Sequence, residues 1–293
     1  MSDINIGNYF IKRVIELEKP FSHAQKFFPD LTDEMLATCQ RELPKGQITA
    51  AGELEMSFHA FVVKTGKHVI LFDTCCGNDK ERPERPAFHK LKTNFMPALA
   101  AANVKPEEVD FVMCTHLHWD HVGWNTYLED GTWKPTFPNA KYIMSKTEYD
   151  FWDNAYRTGV KSPHTQAFED SVQPIERAKQ AVLVSDDYEL ENGIWVEPCH
   201  GHTPGTFVIN MQSNGQRGVV TGDVIHHQIQ LRYPSMSTSA DDDKDAARVS
   251  RTALIEKLAG SGTILLPGHF PTPTFGTIED NATGGFKYKY AEK

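Results

Sequence analysis

Three histidines and one aspartate lie within six residues of the sequence, in the stretch Thr115-His116-Leu117-His118-Trp119-Asp120-His121. Imidazole and carboxylate groups are the ligands by which proteins hold zinc, manganese, iron and cobalt. The apolar residues 109–113 precede this histidine cluster and predict a buried strand, and Gly123 follows it. The cluster therefore lies where a strand ends and a loop begins, as catalytic residues of α/β folds do. A histidine-rich surface loop, the alternative, gives no reason for the spacing His-x-His-x-Asp-His.

Three further strand ends carry residues that could bind a metal. His202 follows the predicted strand 193–197, Asp223 follows the strand 218–221, and His269 follows the strand 263–266. Each lies beside a glycine, which lets the backbone turn sharply and approach a site closely. One such strand end would be weak evidence. Four of them in order along the chain predict a metal site at one edge of a layered sheet.

The segments around these strand ends alternate between strand and helix patterns. Strands are predicted at 10–17, 57–63, 68–72 and 141–144, and later at 193–197, 207–211, 218–221 and 263–266, the last strand of the chain. Helices are predicted after Thr32, at 89–102, after the capping pair Ser145 and Glu148, and at 163–178 with an interruption at Pro174. Residues 129–139 are rich in Gly, Pro and Thr and predict a loop.

An acidic run, Asp241-Asp242-Asp243, precedes a helical pattern that extends to Ala259. Acidic side chains in the first turn of a helix interact favourably with the helix dipole. We therefore predict the start of a helix here and assign the run no role in the site.

Length and composition predict a soluble globular protein whose core needs no disulfides: the chain has 293 residues, of which 40% are hydrophobic and 24% charged. The net charge of −9 gives no overall basic surface for nucleic acid or an anionic membrane. Five cysteines without a regular framework predict free thiols in a reducing compartment. The N-terminus is polar, and no apolar run approaches the ~20 residues of a membrane span. We therefore expect a cytoplasmic protein without a membrane partner.

Residues 1–50 are predicted to form an N-terminal extension, and residues 51–293 the catalytic domain. Phe27, Phe28 and Pro29 form an apolar cluster in this extension. Such a cluster needs a partner. It could pack on the core of its own chain, or it could form a homodimer contact or part of a substrate rim, and the sequence favours neither.

In combination these motifs resemble the metallo-β-lactamase superfamily of metal-dependent hydrolases. The resemblance covers about residues 56–270, with His-x-His-x-Asp-His at 116–121, Gly-His-Thr-Pro-Gly at 201–205, Thr-Gly-Asp at 221–223 and Gly-His at 268–269. It implies an α/β fold, a four-layer αββα sandwich with a binuclear metal site at the sheet edge. It also implies two divalent metal ions, with zinc favoured and manganese, iron or cobalt as alternatives.

The resemblance assigns the metal ligands residue by residue. The implied ligands are His116, His118 and His202 for a first metal, Asp120, His121 and His269 for a second, and Asp223 bridging both. Asp73 matches the strand-end aspartate of the family, which contacts a ligand histidine and does not bind the metal itself. The chemistry of metal-bound imidazole favours the same role, because its other ring nitrogen commonly donates to a carboxylate.

Departures from other branches of the superfamily narrow the implied function. Class B β-lactamases lack an aspartate at the Thr-Gly-Asp position, so Asp223 argues against antibiotic hydrolysis. Only about two dozen residues follow His269, which disfavours glyoxalase II-like thioesterases with their glutathione-binding C-terminal region. There is no basic arm like those of the RNA-processing branches, and the chain is too short for a flavodiiron protein. Quorum-quenching lactonases and methyl parathion hydrolase-like enzymes remain.

The predicted function is therefore hydrolysis of a small ester or lactone, with a metal-bridging hydroxide as the nucleophile. Asp120 would act in catalysis by orienting this nucleophile or relaying a proton. A phosphotriesterase acting on organophosphates at the same site is the first alternative, and a di-iron redox or sensing protein on the same fold is the second. The expected partner is a small-molecule substrate, with no nucleic acid. The candidate residues of the substrate pocket are Trp124, Trp152, His226 and Phe270.

Overall fold

Strands make up most of the regular structure in the computed structural model, which describes residues 3–191 and 193–291. In chain order the strands are β1 (Asp3–Ile6), β2 (Tyr9–His23), β3 (Glu53–Lys64), β4 (Val69–Phe72), β5 (Phe111–Met113), β6 (Thr126–Glu129), β7 (Thr132–Pro135), β8 (Lys141–Ser145), β9 (Ala181–Val184), β10 (Glu189–Glu191), β11 (Ile194–Pro198), β12 (Phe207–Ser213), β13 (Gln216–Gly222), β14 (Ile264–Pro267), β15 (Gly276–Asp280) and β16 (Phe286–Tyr290).

The helices are short, and several begin at residues that cap them. They are α1 (Ala24–Phe27), α2 (Asp33–Glu42), α3 (Phe95–Ala101), α4 (Lys146–Arg157), α5 (Pro163–Ala167), α6 (Gln173–Arg177), α7 (Ile229–Arg232) and α8 (Lys244–Leu258). The predicted starts at Thr32 and Ser145 are confirmed, because both side chains accept a hydrogen bond from the first turn of α2 and of α4. Among the described residues, no helix is both long and apolar enough to cross a bilayer.

One seven-stranded sheet has the order β1-β2-β3-β4-β5-β8-β9. Its strands β4, β5, β8 and β9 run parallel to one another, whereas β3 pairs with β4 in the antiparallel sense. Phe72 at the end of β4 pairs with Met113 at the end of β5. Because the carboxyl ends of parallel strands meet at one edge of a sheet, the residues that follow β4 and β5 leave the sheet side by side.

A second seven-stranded sheet has the order β10-β11-β12-β13-β14-β15-β16, and β13 and β14 are its parallel pair. Val220 pairs with Leu266, and Gly222 pairs with Pro267. Asp223 and His269 therefore follow neighbouring parallel strands at the same edge. Helix α8 packs on this sheet through Leu254, Ile255 and Leu258, which belong to a cluster of buried apolar side chains with Val219 and Leu265.

The contacts divide the described residues into two compact units. Unit 1 contains the described residues of 1–7, 18–57 and 189–293, and unit 2 contains residues 8–17 and 58–188. The predicted division at residue 50 stays a prediction. Phe27 and Phe28 of the predicted extension are buried and pack edge to face on each other.

Helix α3 is shorter than predicted, because it begins at Phe95 and not at His89. The backbone before it bonds to a neighbouring turn and not to itself. Lys90 donates its N–H to the carbonyl of Lys80, and Asp79 donates to that of Leu91. The apolar spacing described one face of this segment correctly, but these bonds hold residues 90–93 outside the helix.

The predicted loop at 129–139 was wrong, since strands β6 and β7 form a hairpin across Asp130-Gly131. Both turn residues have positive φ angles, 49° and 77°. An Asp-Gly pair suits that conformation and is a strong hairpin signal, which the Gly, Pro and Thr content of the segment concealed.

Two other predictions need correction. Pro174 does not interrupt the helical segment that starts at Pro163: a π-helical turn, Phe168–Val172, precedes it, and Pro174 lies in the first turn of α6, where a missing N–H costs little. Strand 263–266 is also not the last, because β15 and β16 follow and pair with each other. The alternation of Phe286, Tyr288 and Tyr290 with lysines is a strand pattern.

Candidate metal centre

The histidine cluster of unit 2 forms a tight buried turn after strand β5. The N–H of His121 donates to the carbonyl of His118 at 3.0 Å. The ring centroid of His116 lies 4.1 Å from that of His121 and 4.6 Å from that of His118. All three imidazoles are at least 96% buried, whereas Asp120 is partly exposed. The turn therefore brings three imidazole rings together in a place that solvent scarcely reaches.

Asp73 supports this turn from the end of β4. Its Oδ2 lies 2.8 Å from Nδ1 of His121, and its two carboxylate oxygens accept from the backbone N–H and the hydroxyl of Thr115 at 2.8 and 2.9 Å. A φ of +54° turns the carboxylate toward the cluster, in a conformation that Asp adopts more readily than most residues. This is the contact that the resemblance implied for Asp73. It favours the tautomer with the proton on Nδ1 and the lone pair on Nε2, which is the form of imidazole that binds metals.

Glu148 holds the cluster from a second side. Its buried Oε1 accepts from the N–H of Leu117 at 3.1 Å and from Nε1 of Trp152 at 2.7 Å. The Trp152 ring lies 5.6 Å from the ring of His118, and the ring of His164 lies 3.8 Å from it. Sequence reasoning missed His164, because a single histidine in a polar segment has no ligand spacing.

Trp124, a predicted pocket residue, lies in the interior of unit 2. Its Nε1 donates to the buried carboxylate of Glu16 at 2.6 Å, and its ring stacks on that of Phe95. Burial raises the pKa of Glu16 against the lowering effect of its hydrogen bonds with Cys76, Trp124 and Thr93. These contacts occupy the polar edge and one face of the Trp124 indole, and its role in a substrate pocket stays a prediction.

In unit 1 three imidazoles surround one carboxylate. Nε2 of His269 lies 3.0 Å from one oxygen of Asp223, and Nε2 of His226 and of His202 lie 3.1 and 3.3 Å from the other. All four side chains are buried. A buried anion that faces three imidazole nitrogens is the arrangement expected around a divalent cation, because the nitrogens are otherwise poor neighbours for one another.

The imidazole of His202 lies between two carboxylates. Its Nδ1 is 3.0 Å from Oδ1 of Asp241, on the side opposite to Asp223. Burial alone would lower the pKa of His202, but the hydrogen bonds and charges of Asp223 and Asp241 outweigh it and raise this pKa to about 9. Burial acts to raise the pKa of Asp241, but His202 overcomes it and lowers that pKa to about 2.

The acidic run before α8 was predicted to have no role in the site, and this was wrong for Asp241. Its side chain points inward to His202, while Asp243 is the residue that caps α8. The helix dipole explained the composition of the run but could not identify which carboxylate faces the interior. A side chain two residues before the cap can still turn back under a neighbouring loop.

The two remaining pocket candidates lie in unit 1. His226 is buried, and its ring meets that of Phe27 edge to face at 5.3 Å. Phe270 is fully buried in the apolar cluster beneath α8 and meets Tyr288 edge to face. Their part in substrate binding stays a prediction.

Within unit 1, the donor atoms of His202, His226 and Asp241 lie within 4.8 Å of one another and could hold a metal ion. The seven ligands that the sequence predicted stay a prediction. The donors are imidazole and carboxylate only, which suits a catalytic divalent ion and differs from the cysteine-rich sets of structural zinc. The five cysteines are free and buried.

Comparison with known families decides the identity of this fold. The model of the Metallo-beta-lactamase superfamily matches residues 59–269. The chain is a member of the metallo-beta-lactamase superfamily. At the level of the family, this confirms the expected metal-dependent hydrolase. A curated relative, a probable metallo-hydrolase of Methanocaldococcus jannaschii, is 33% identical over 64 residues, which are 22% of this chain and 27% of the relative. The match thus spans about a quarter of that relative.

Solved structures of the superfamily resemble the chain over nearly its whole length. The hydrolase AbOPH aligns with a TM-score of 0.80 at 23% identity, covering 99% of this chain and 97% of that chain. The dizinc quorum-quenching lactonase AidC aligns with a TM-score of 0.79 at 24% identity, with the same coverage. These likenesses confirm the predicted fold class, the αββα sandwich of this superfamily.

Proposed function

We propose that this metallo-beta-lactamase superfamily protein is a binuclear hydrolase of a small ester or lactone. The observation that carries the proposal is the buried carboxylate of Asp223, which has three imidazole Nε2 atoms within 3.3 Å. Burying a carboxylate with three imidazoles costs more than packing apolar side chains of similar volume, so the set calls for a role beyond structure. Its chemistry suits divalent ions, with zinc the best fit to a mixture of imidazole and carboxylate.

The ligand sets that we propose follow the family pattern. They are His116, His118 and His202 for one ion, Asp120, His121 and His269 for the other, and Asp223 shared by both. Within unit 1, the distances of 3.3 and 3.0 Å from Asp223 to His202 and His269 support these sets. Manganese, iron or cobalt would fit the same donors.

When bound, the two ions would supply Lewis acidity and a water nucleophile at neutral pH. The residues of the chain do the rest. The buried imidazoles exclude solvent, which strengthens electrostatic interactions at the reacting carbonyl. In hydrolysis a water oxygen adds to the carbonyl carbon, the ester C–O bond breaks, and the leaving oxygen takes a proton. Asp120 is the partly exposed carboxylate of the histidine cluster, so it is the group that we expect to pass this proton.

A lactone is the substrate that we favour, and the name of AidC as a quorum-quenching lactonase supports this choice. An aryl phosphotriester is the second candidate, because Trp152 and His164 place aromatic rings beside His118 and could pack on an aryl leaving group. Comparing the kcat/KM for a homoserine lactone with that for an aryl phosphotriester separates the two. Bound iron without either activity would support the redox alternative.

Replacement of Asp223 tests the proposal. Asp223→Ala should leave less than half of the metal of the parent, which we expect to hold about two ions per chain, and should abolish hydrolysis. Elemental analysis and substrate turnover measure these effects. Asp245→Ala is the matched control, because Asp245 is exposed and pairs at the surface with Arg248. An Asp223→Ala variant with the metal content and activity of the parent would show that the proposal is wrong.

The homodimer predicted for residues 1–50 remains a proposal as well. The burial of Phe27 and Phe28 within the chain accounts for the apolar residues that motivated it. Light scattering of the purified protein gives the mass of the particle, and a monomer would leave no role for a dimer contact.

A further inference from the structure

The side chain of Asp241 is fully buried beneath His202. Its Oδ1 lies 3.0 Å from Nδ1 of His202, and its Oδ2 accepts from the N–H of Thr238 at 2.8 Å. The carboxylate therefore spans the imidazole and the backbone of its own loop. This contact is made on the nitrogen of His202 that points away from Asp223, and so away from the proposed metal.

A buried arginine stands behind Asp241. Arg251, in the third turn of α8, has its Nη1 3.8 Å from Oδ2 of Asp241, and its Nε donates to the carbonyl of Pro234 at 2.9 Å. Both charged side chains are almost inaccessible to solvent. Because Arg251 is fixed at a second point, it holds the negative charge of Asp241 in place and offsets part of the cost of burying it.

The turn at residues 200–203, which contains His202, is joined to the start of α8 by backbone hydrogen bonds. Asp242 donates its N–H to the carbonyl of His202 at 3.1 Å, and Asp243 donates to that of Gly201 at 2.9 Å. Gly201 has a φ of +134°, and a Cβ on it would lie 2.0 Å from the backbone nitrogen of Ala247. The contact is therefore too close for any other residue at position 201.

Capping of the helix does not account for Asp241. Asp243 already caps α8, because its Oδ1 accepts from the N–H groups of Asp245 and Ala246. Asp241 could be replaced by a small polar residue without loss of the cap. Its burial against an imidazole, backed by an arginine, calls for another role.

We propose that Asp241, held by Arg251, is the positioning residue of His202. It keeps the proton of this imidazole on Nδ1, so that the lone pair of Nε2 points toward the metal. The inference rests on the proposed function, since it takes His202 as a metal ligand. Carboxylates in this position typically change metal affinity by about 10- to 100-fold.

The test is a zinc-competition titration of the full-length protein against a chromophoric chelator. Asp241→Asn keeps the shape of the side chain but can turn its amide N–H₂ to Nδ1, which favours the wrong tautomer. We expect the zinc site that includes His202 to bind about 10- to 100-fold less tightly than in the parent. Asp245→Asn is the matched control, because it removes an exposed carboxylate at the same helix start, and its zinc affinity should equal that of the parent.

A second readout separates positioning from a structural role. In the zinc-loaded parent, nitrogen NMR of labelled histidine should show Nδ1 of His202 protonated and hydrogen-bonded to a carboxylate, with His202→Gln identifying the signal. Asp241→Asn should lose that shift. Arg251→Lys, which cannot reach both Asp241 and Pro234, should weaken zinc binding several-fold. If Asp241→Asn does not fold, this variant tests the positioning role in its place.

The outcomes distinguish this inference from the proposed function. A parent that binds neither zinc nor manganese, iron or cobalt overturns both. A parent that binds zinc, with folded Asp241→Asn and Arg251→Lys variants whose affinities lie within twofold of it, overturns the positioning role alone. Loss of affinity in both variants, with the control unchanged, supports it.

Discussion

Each unit of the molecule pairs a buried carboxylate with Nδ1 of one imidazole, and the two pairs are built differently. In unit 2 Asp73 lies 2.8 Å from His121, and in unit 1 Asp241 lies 3.0 Å from His202. Asp73 takes its position from the sheet, because it follows β4 directly and adopts a positive φ. Asp241 takes its position from side chains, through Arg251 and the start of α8.

The difference shows that the same chemical support can come from a strand end or from a helix start. The strand-end version also holds the backbone of the histidine cluster, since Thr115 donates both its N–H and its hydroxyl to Asp73. The helix-start version has a single backbone donor, the N–H of Thr238. We therefore expect both carboxylates to matter for metal affinity, and Asp73 to contribute more than Asp241 to stability.

Replacing both carboxylates by the same amide tests this contrast. Asp73→Asn keeps a residue that tolerates positive φ, but its single carbonyl cannot serve Thr115 and His121 as the carboxylate does. We expect the metal-free variant to lose about 3 kcal/mol of its free energy of unfolding, and the zinc affinity to fall as well. Urea denaturation of metal-free Asp73→Asn and Asp241→Asn measures the first quantity.

The exposed residue Asp110 provides a control for Asp73, because its side chain accepts a hydrogen bond from the N–H of Val69. Asp110→Asn should cost no more than about 1 kcal/mol. If Asp241→Asn loses as much stability as Asp73→Asn, the two supports are equivalent and the contrast fails.

The pH dependence of stability tests how much the imidazole of His202, the partner of Asp241, contributes to folding. Its pKa of about 9 in the folded metal-free protein lies above the value of about 6.5 expected for the unfolded chain. The stabilisation is therefore complete below pH 6.5 and is lost as the pH rises through 9, on the order of 3 kcal/mol in all. Urea denaturation of the metal-free protein from pH 6 to 9.5 should show this decrease.

Other groups titrate in the same window, so the measurement needs a variant without this imidazole. His202→Gln cannot titrate at position 202, and its stability should fall less steeply over the same range. Parallel curves for the parent and His202→Gln would mean that His202 does not carry the effect.

The sequence indicated the candidate ligands because they follow apolar strands at glycines, where period and spacing are informative. His116, Asp223 and His269 are of this kind. The supports were harder to predict. Asp73 was identified only through the family resemblance. Asp241 was not identified, because the helix dipole already explained the acidic run to which it belongs. Which of three adjacent carboxylates turns inward depends on the packing of the turn at 200–203 against Ala247, which no local pattern encodes.

The fold was predictable wherever hydrophobic period decides it, as in the hairpin of β12 and β13. Errors arose where tertiary contacts overrule a local preference. Residues 90–93 stay outside α3 because they bond to residues 78–80. A π-helical turn before α6 places Pro174 at a helix start, and not at an interruption. Neither effect leaves a mark in the sequence of the segment itself.

A third carboxylate, Glu148, provides the smallest of the expected effects and the sharpest control on the comparison. It holds the histidine cluster through the N–H of Leu117 and the indole of Trp152, both on Oε1. Glu148→Gln can keep an oxygen at that point, so we expect a loss of about 1 kcal/mol in the free energy of unfolding, against about 2–3 kcal/mol for Glu148→Ala. Because neither of these bonds involves an imidazole nitrogen, zinc affinity in Glu148→Gln should stay within threefold of the parent. A tenfold loss of zinc affinity there would mean that the backbone of the cluster, and not the protonation of its imidazoles, is what these carboxylates control.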